Sequence, residues 1–506
     1  MASAMTETVS NAHVIETQAD GKLKTSTLQV DAIVKALEDE SKLVLHFHGG
    51  LVNAAAGRRI AESLTPVYRG AGAYPVFFVW HGGLLEVVRG NLTEIAAEEA
   101  FSLLEKWVTK FAVGKLQQVP GSRGLTIGAP SDYEVALELA RRLEGGEPFS
   151  GLVVEDNVSE LDSREQAEFE QALANDPAAR SVTAAIVESA LDEDEVDTSR
   201  GIEVTRRRSQ RTLMSCEVVA EFQREAEREA EGQKGLISAA LLARKGVDVL
   251  LRVVERFRHH NDHGLYPTVV EEILREFYLG NVGAHVWAAM KGETKDTFDA
   301  DPPTRGGRHF MSQLGDLLRS GKRLEVTLVG HSTGAVFIDN LLRHVEQMRD
   351  DAAEALPPDF RFKNVIFLAP ACTFEDFAST VQRQKQLFRR FRMFAMSDEA
   401  EQKDHLLSVV YPRSLLYFIS GVLETEPDGS SSPAKPLVGL NRYYTSAAKT
   451  PEALVLGRKF VLAQKTRVVW SPSSGGDGLS AQALSHGAFD DDSEVRKSLA
   501  YLISDA

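Results

Sequence analysis

Three residues far apart in the chain have the types needed for joint acyl-transfer chemistry: a serine, a carboxylate and a histidine. Ser332 sits in Gly330-His331-Ser332-Thr333-Gly334, a G-x-S-x-G pattern. Asp398 follows in Ser397-Asp398-Glu399, and His486 in Leu484-Ser485-His486-Gly487. A serine hydroxyl becomes a useful nucleophile when a base takes its proton. That base in turn needs a partner that fixes its tautomer.

A five-residue pattern has weight only on a strand–turn–helix. Residues 326–329 form an apolar, β-branched run that predicts a buried strand. Phe337, Leu341 and Val345 recur every four residues and predict one face of a helix. A strand running directly into a helix forces the corner residue into strained φ/ψ, so Ser332 is expected there with its hydroxyl projecting. Gly330 and Gly334 supply the small neighbours that such a close crossing needs. The Thr333 N–H opens the helix, where partial positive charge favours an oxyanion.

The other positions follow from the surrounding pattern. Residues 13–16 and 23–30 predict two strands around Ala19-Asp20-Gly21, and 31–40 a short helix. Residues 43–47 and 74–80 are apolar strands with a helix, 54–68, between them, which implies a parallel α/β sheet. After a helix at 309–318 and the nucleophile strand, strands are expected at 364–368, 391–396 and 466–470. A helix at 377–388 and another at 406–423, broken at Pro412, lie between them. Val495, Leu499 and Leu502 share a face of a last helix. Asp398 then lies just after the second strand beyond Ser332, and His486 in the loop after the third. The C-terminal ends of parallel strands gather such distant residues.

Composition narrows the rest. The 506 residues carry 57 basic and 73 acidic side chains, a net charge of −16, which argues against nucleic acid as the main ligand. Two cysteines, Cys216 and Cys372, cannot build a disulfide framework and fit a reducing, cytoplasmic setting. The first residues lack the basic and apolar regions of a signal peptide, and no run of about 18 apolar residues predicts a membrane span. Residues 84–308 read as a mostly helical insertion with an acidic stretch (residues 192–197), a basic triplet (206–208) and a glycine-rich loop (121–128). Its charge runs are expected to be solvated faces.

With G-x-S-x-G on an elbow and the order serine, acid, histidine, the chain resembles the α/β-hydrolase superfamily over residues 13–83 and 309–503. The resemblance implies an α/β core in two parts, 1–83 and 309–506, interrupted by a helical cap, 84–308. It implies a second oxyanion donor from the loop after the third strand of that fold. Here that loop is His48-Gly49-Gly50-Leu51, making Gly49, Gly50 and Thr333 the expected donors. For the acid, Asp398 is favoured by position. Glu399 would serve if the strand ended one residue later, Glu375 and Asp376 follow the preceding strand, and Asp404 is further out.

Competing chemistries are weaker. His46, His48 and His81 lack the nearby carboxylates of a metal centre; His46 is expected to face inward and the 81–83 loop to line the cleft. His331 need not be catalytic, and Cys372 is expected to be a packed thiol. No P-loop and no strand–GxGxxG–helix unit occurs, so no cofactor is implied. The expectation is a serine hydrolase acting on carboxylic esters, lipid-like ones included, with amides, peptides or thioesters as alternatives. A different alternative makes the core a scaffold whose helical insertion binds a protein partner or a second copy.

Overall fold

Seven short apolar segments pair into one all-parallel sheet: β1 (Val14–Glu16), β2 (Lys42–Phe47), β3 (Tyr74–Val79), β4 (Glu325–His331), β5 (Phe362–Leu368), β6 (Phe388–Met396) and β7 (Val468–Ser471). Their spatial order is β1-β3-β2-β4-β5-β6-β7. The computed structural model describes residues 11–50, 53–80, 82, 84–117, 129–154, 158–191, 212–228, 236–299, 304–351, 355–424, 434–445 and 451–505. The acidic stretch, the basic triplet, the glycine-rich loop, Leu51 and His81 lie outside these residues.

Buried on both faces, the strands read as continuous apolar runs rather than alternating ones. Their side chains still sort by twos. On β2, Leu43, Leu45 and Phe47 join one apolar cluster and Val44 the other. The second cluster holds the helices Ala54–Gly70 and Ser493–Ser504 against the sheet. The first continues through the helix Gly334–Gln347 into the helices between β3 and β4, reaching Phe101, Leu250, Val269 and Tyr278. Chain order reverses between β2 and β4, the switch point at which open parallel sheets leave a crevice beyond their C-terminal ends.

Local expectations fail in two places. Residues 23–30 are not a strand: Thr17 bridges Leu23, and Ser26 then caps a helix, Thr27–Ala36, by accepting from the Gln29 N–H. Capping chemistry outweighed the β-branched run. Residues 406–423 are helical only from Leu415, because Leu407 and Tyr411 form a β-bridge ahead of Pro412.

Between β3 and β4 the regular elements among the described residues are all helices, and a buried polar seam joins them to the C-terminal half. Glu271 forms an ion pair with Arg256 at 2.6 Å and accepts from His263 at 2.7 Å and from the Tyr411 hydroxyl. Arg256 also reaches Glu272 at 3.0 Å, and Arg413 donates to the His263 carbonyl at 3.0 Å. Burial alone would raise the Glu271 pKa, but Arg256 and His263 outweigh it and hold it at about 2. Among the described residues no helix is long and apolar enough to cross a membrane.

Candidate active site

Ser332 stands at the C-terminal end of the central strand β4 with φ +55°, in the left-handed region that L-residues avoid. Two glycines make that corner possible by close approach. A Cβ on Gly330 would lie 2.5 Å from the Gly334 carbonyl oxygen, and one on Gly334 would lie 2.1 Å from the Phe47 carbonyl oxygen. Strand, turn and helix are pressed together there, and such strain is of order 1–3 kcal/mol. The Ser332 N–H donates to Leu368 O at 2.8 Å, and Ser332 O accepts from Ala371 N at 3.1 Å, so neighbouring β5 pins the strained residue.

His486 opens a short 3-10 turn (His486–Ala488) beyond β7, and its Nε2 lies 2.9 Å from Ser332 Oγ. Both side chains are closed off, Ser332 at 1% and His486 at 3% exposure. Burial, reinforced by His331, pushes the His486 pKa down to about 3. The ring is neutral at ordinary pH and can accept the serine proton at Nε2.

The loop after β2 lies against the same corner, because β2 pairs with β4 in the register Phe47↔Gly330. A Cβ on Gly49 would lie 3.1 Å from Ser332 Cβ, and the Gly50 N–H faces Thr333 Oγ1 at 3.4 Å. Thr333 caps the helix Gly334–Gln347, so its N–H belongs to the first turn, where helices have no internal acceptors. Met290 roofs this loop: a Cβ on Gly50 would meet Met290 Cε at 2.0 Å. His48 donates from Nδ1 to Gly49 O at 2.7 Å and accepts the Trp80 N–H at Nε2, which fixes a neutral tautomer. Burial lowers its pKa to about 4.

The carboxylates are arranged differently from expectation. Asp398 does not meet His486. It begins the helix Asp398–Lys403, capped by Ser397, and its carboxylate accepts from the Tyr417 hydroxyl at 2.5 Å and from Gln402 at 2.8 Å. The physical reason is that Ser397 turns the chain into a helix at once, directing Asp398 toward Tyr417. Glu399 is paired with Lys403 at 2.6 Å, and Asp376 serves the Thr373 cap of the next helix. The chain returns to the histidine at Asp404, whose Oδ2 accepts the His486 backbone N–H at 2.8 Å. Burial raises the Asp404 pKa and this N–H lowers it; the net shift is upward. His486 Nδ1 is buried and makes no hydrogen bond in this arrangement.

Sequence reasoning missed a second pair. His331 Nδ1 lies 2.6 Å from Asp490 Oδ2, and His331 Nε2 lies 2.9 Å from the His486 carbonyl oxygen. Both ring nitrogens face acceptors, so only the imidazolium can satisfy both. Burial works against that charge on His331, yet Asp490 outweighs it and raises the pKa. Burial would likewise raise Asp490, but the histidine holds it at about 2. His46, inward-facing as expected, bonds Tyr68 through Nδ1 at 2.9 Å, and its Nε2 is 3.7 Å from Asp490. The run of three aspartates hid this pair. Asp491 pairs with Arg496 at 2.7 Å, Asp492 caps the last helix, and only Asp490 turns inward.

Cys372 is buried beside Asp339, and burial raises its pKa well above the thiol range. No cluster of three or more histidine, cysteine, aspartate or glutamate side chains suited to a metal ion occurs among the described residues. No protein-family model, no curated protein and no solved structure matches this chain. The chain is thus a mixed α/β protein built on a seven-stranded parallel sheet, with a serine and a neutral histidine in contact at its C-terminal edge.

Proposed function

We propose that the protein is a serine hydrolase of the α/β-hydrolase type, acting on carboxylic esters. The observation that carries this is the 2.9 Å contact between Ser332 Oγ and His486 Nε2 at a strained elbow. Ser332 attacks an acyl carbonyl and His486 takes its proton. The tetrahedral oxyanion is met by the Thr333 N–H and by the Gly49–Gly50 loop. His486 then returns the proton to the leaving alcohol, and water repeats the sequence on the acyl-enzyme. Asp404 is the acid of this scheme. It already accepts the backbone N–H of His486, and the Nδ1 of the same histidine makes no hydrogen bond. Amides and thioesters share the same chemistry and are the alternative substrates.

Access bears on the substrate. Ser332 and its base are covered, and the helices above the sheet are tied down by the Arg256–Glu271 seam. Opening by swinging those helices away as a body would strand buried charges, each worth several kcal/mol. Substrate entry is therefore local, near Met290. A fluorophosphonate probe tests the proposal: it should label the folded protein, and Ser332→Ala should abolish labelling. Labelling that survives the substitution, or no labelling after Met290→Ala has opened the roof, sinks it.

A further inference from the structure

The edge of the sheet opposite Ser332 carries a feature the hydrolase proposal does not use. Strands of six or seven residues put that edge about 20 Å from the serine. It holds a groove of about 900 Å³ lined by Lys42, Lys322, Arg323, Arg361, Lys363 and Arg389, with only Glu325 and Asp359 against them. The chain as a whole carries a net charge of −16, so this concentration of positive charge runs against its composition.

Sheet topology explains the layout. Lys42 opens β2, Arg323 leads into β4, Arg361 and Lys363 stand at the start of β5, and Arg389 is the second residue of β6. These four strands are consecutive neighbours in the sheet. At about 4.8 Å per strand, the cations form a row spanning about 14 Å. Most of that charge is uncompensated. Lys363 pairs with Glu325 at 2.7 Å. Lys42 donates to Ser504 O at 3.0 Å, Lys322 to Glu38 O, and Arg361 to Pro358 O at 3.0 Å. Carbonyls satisfy the donors and leave the charge.

The groove runs into a second pocket of about 420 Å³, apolar except for Arg319, Arg349 and Arg361, through shared walls at Leu318, Pro357, Phe360 and Arg361. Leu356, Pro358 and Leu387 line its far side. We propose that this joined surface binds an acidic peptide segment of a partner protein, its carboxylates along the cation row and one apolar side chain in the pocket. An extended peptide sends side chains to one face about every 6.6–7 Å, so two to three carboxylates match a 14 Å row. Nucleic acid would use the row but has no aliphatic group for the pocket, and Phe360 alone is a poor stacking platform. A membrane surface is planar and cannot enter a groove.

The test uses the full chain and a fluorescein-labelled octapeptide of alternating glutamate and leucine, read by fluorescence anisotropy. Saturable binding is expected, weakening steadily from about 50 to about 300 mM salt. The variant R323E/R361E/R389E should weaken it by at least about tenfold. The double variant R323E/R389E, which touches only exposed side chains, should show most of that loss. Fluorophosphonate labelling of Ser332 should stay at the unmutated rate in both variants, so the two proposals stand or fall separately. Undiminished binding by the folded double variant overturns the assignment. So does an absence of saturation below about 1 mM, a weak-affinity limit, or tighter binding of single-stranded DNA or phosphatidylserine vesicles than of the peptide.

Discussion

Asp404→Asn separates the two jobs assigned to that side chain. The substitution preserves shape and removes the negative charge. The amide would keep an oxygen that can accept the His486 N–H, now bonded to Asp404 Oδ2 at 2.8 Å. The stability loss is then the difference between a hydrogen bond to a carboxylate and one to an amide, about 1 kcal/mol. Burial already works against the charged form of Asp404, which pulls the loss lower. Activity should respond very differently. His486 Nδ1 makes no hydrogen bond here, and the proposed mechanism has Asp404 support the imidazolium formed during acylation; an amide in its place would leave that imidazolium unsupported. Loss of the acid in a serine–histidine–aspartate arrangement lowers kcat by up to about 10⁴; here about 10² to 10⁴ is expected. Asp398→Asn is the control. It gives up contacts to Tyr417 and Gln402, neither of which touches Ser332 or His486, and should change kcat by less than about threefold while lowering stability. Steady-state hydrolysis of p-nitrophenyl butyrate gives kcat, and urea unfolding gives stability. Near-normal turnover by Asp404→Asn with a large drop in Asp398→Asn would refute the reasoning and restore the expectation drawn from position along the chain.

Asp490→Asn should behave in the opposite way to Asp404→Asn. It removes the partner of a buried imidazolium, and breaking such a pair costs about 3–5 kcal/mol, measurable as a lower urea midpoint. A loss below about 1 kcal/mol would mean that His331 is neutral. Acid sensitivity follows from the other histidines. His46 and His48 have pKa values near 4 and His486 near 3, all depressed chiefly by burial, against about 6.5 in the unfolded chain. Below pH 6.5 the unfolded chain binds more protons, so stability should fall as pH drops toward 4. His331 has the opposite sign: its raised pKa contributes fully below 6.5 and is lost as pH rises through the folded value. A urea midpoint that stays flat from pH 6.5 to 4 contradicts this assignment. In the same window kcat/KM should keep its high-pH value well below 6.5, since the free-enzyme base stays neutral.

The elbow was legible because its requirements are local. A β-branched run, two small residues and a helical face fit within about twenty positions, and the structure has strand, strained serine and helix there. The histidine was legible for a global reason: it is the sole histidine after the last strand, and parallel strands deliver their following loops to one edge. The carboxylate nearest the histidine loop was not, because the direction each side chain takes turns on one cap. Ser397 starts a helix at the strand end, so the nearest carboxylate in sequence is swung toward Tyr417 and one a turn and a half later reaches the histidine loop. Residues 23–30 failed similarly, through the Ser26 cap. Single capping side chains, worth about 1 kcal/mol, decide directions that hydrophobic periodicity cannot.

His331 and His486 put the same side chain to opposite uses within one small volume. Their ring centres are 5.4 Å apart, and both are buried. Burial pushes each toward neutrality; what separates them is who faces their nitrogens. His331 meets a carboxylate and a carbonyl, which favour its charged form and raise its pKa. His486 meets a serine hydroxyl at Nε2 and nothing at Nδ1, and stays neutral. The charge on His331 reinforces this, because a nearby cation opposes a second one. The same cation donates to the His486 carbonyl and so holds the base in place. In the proposed mechanism a fixed cation beside the base has a drawback: it also opposes the imidazolium that acylation would form. In the proposed mechanism that opposition calls for a carboxylate to come to Nδ1, which has no partner in this arrangement. It is why the charge on Asp404, more than its hydrogen bond to the backbone, is expected to set the rate.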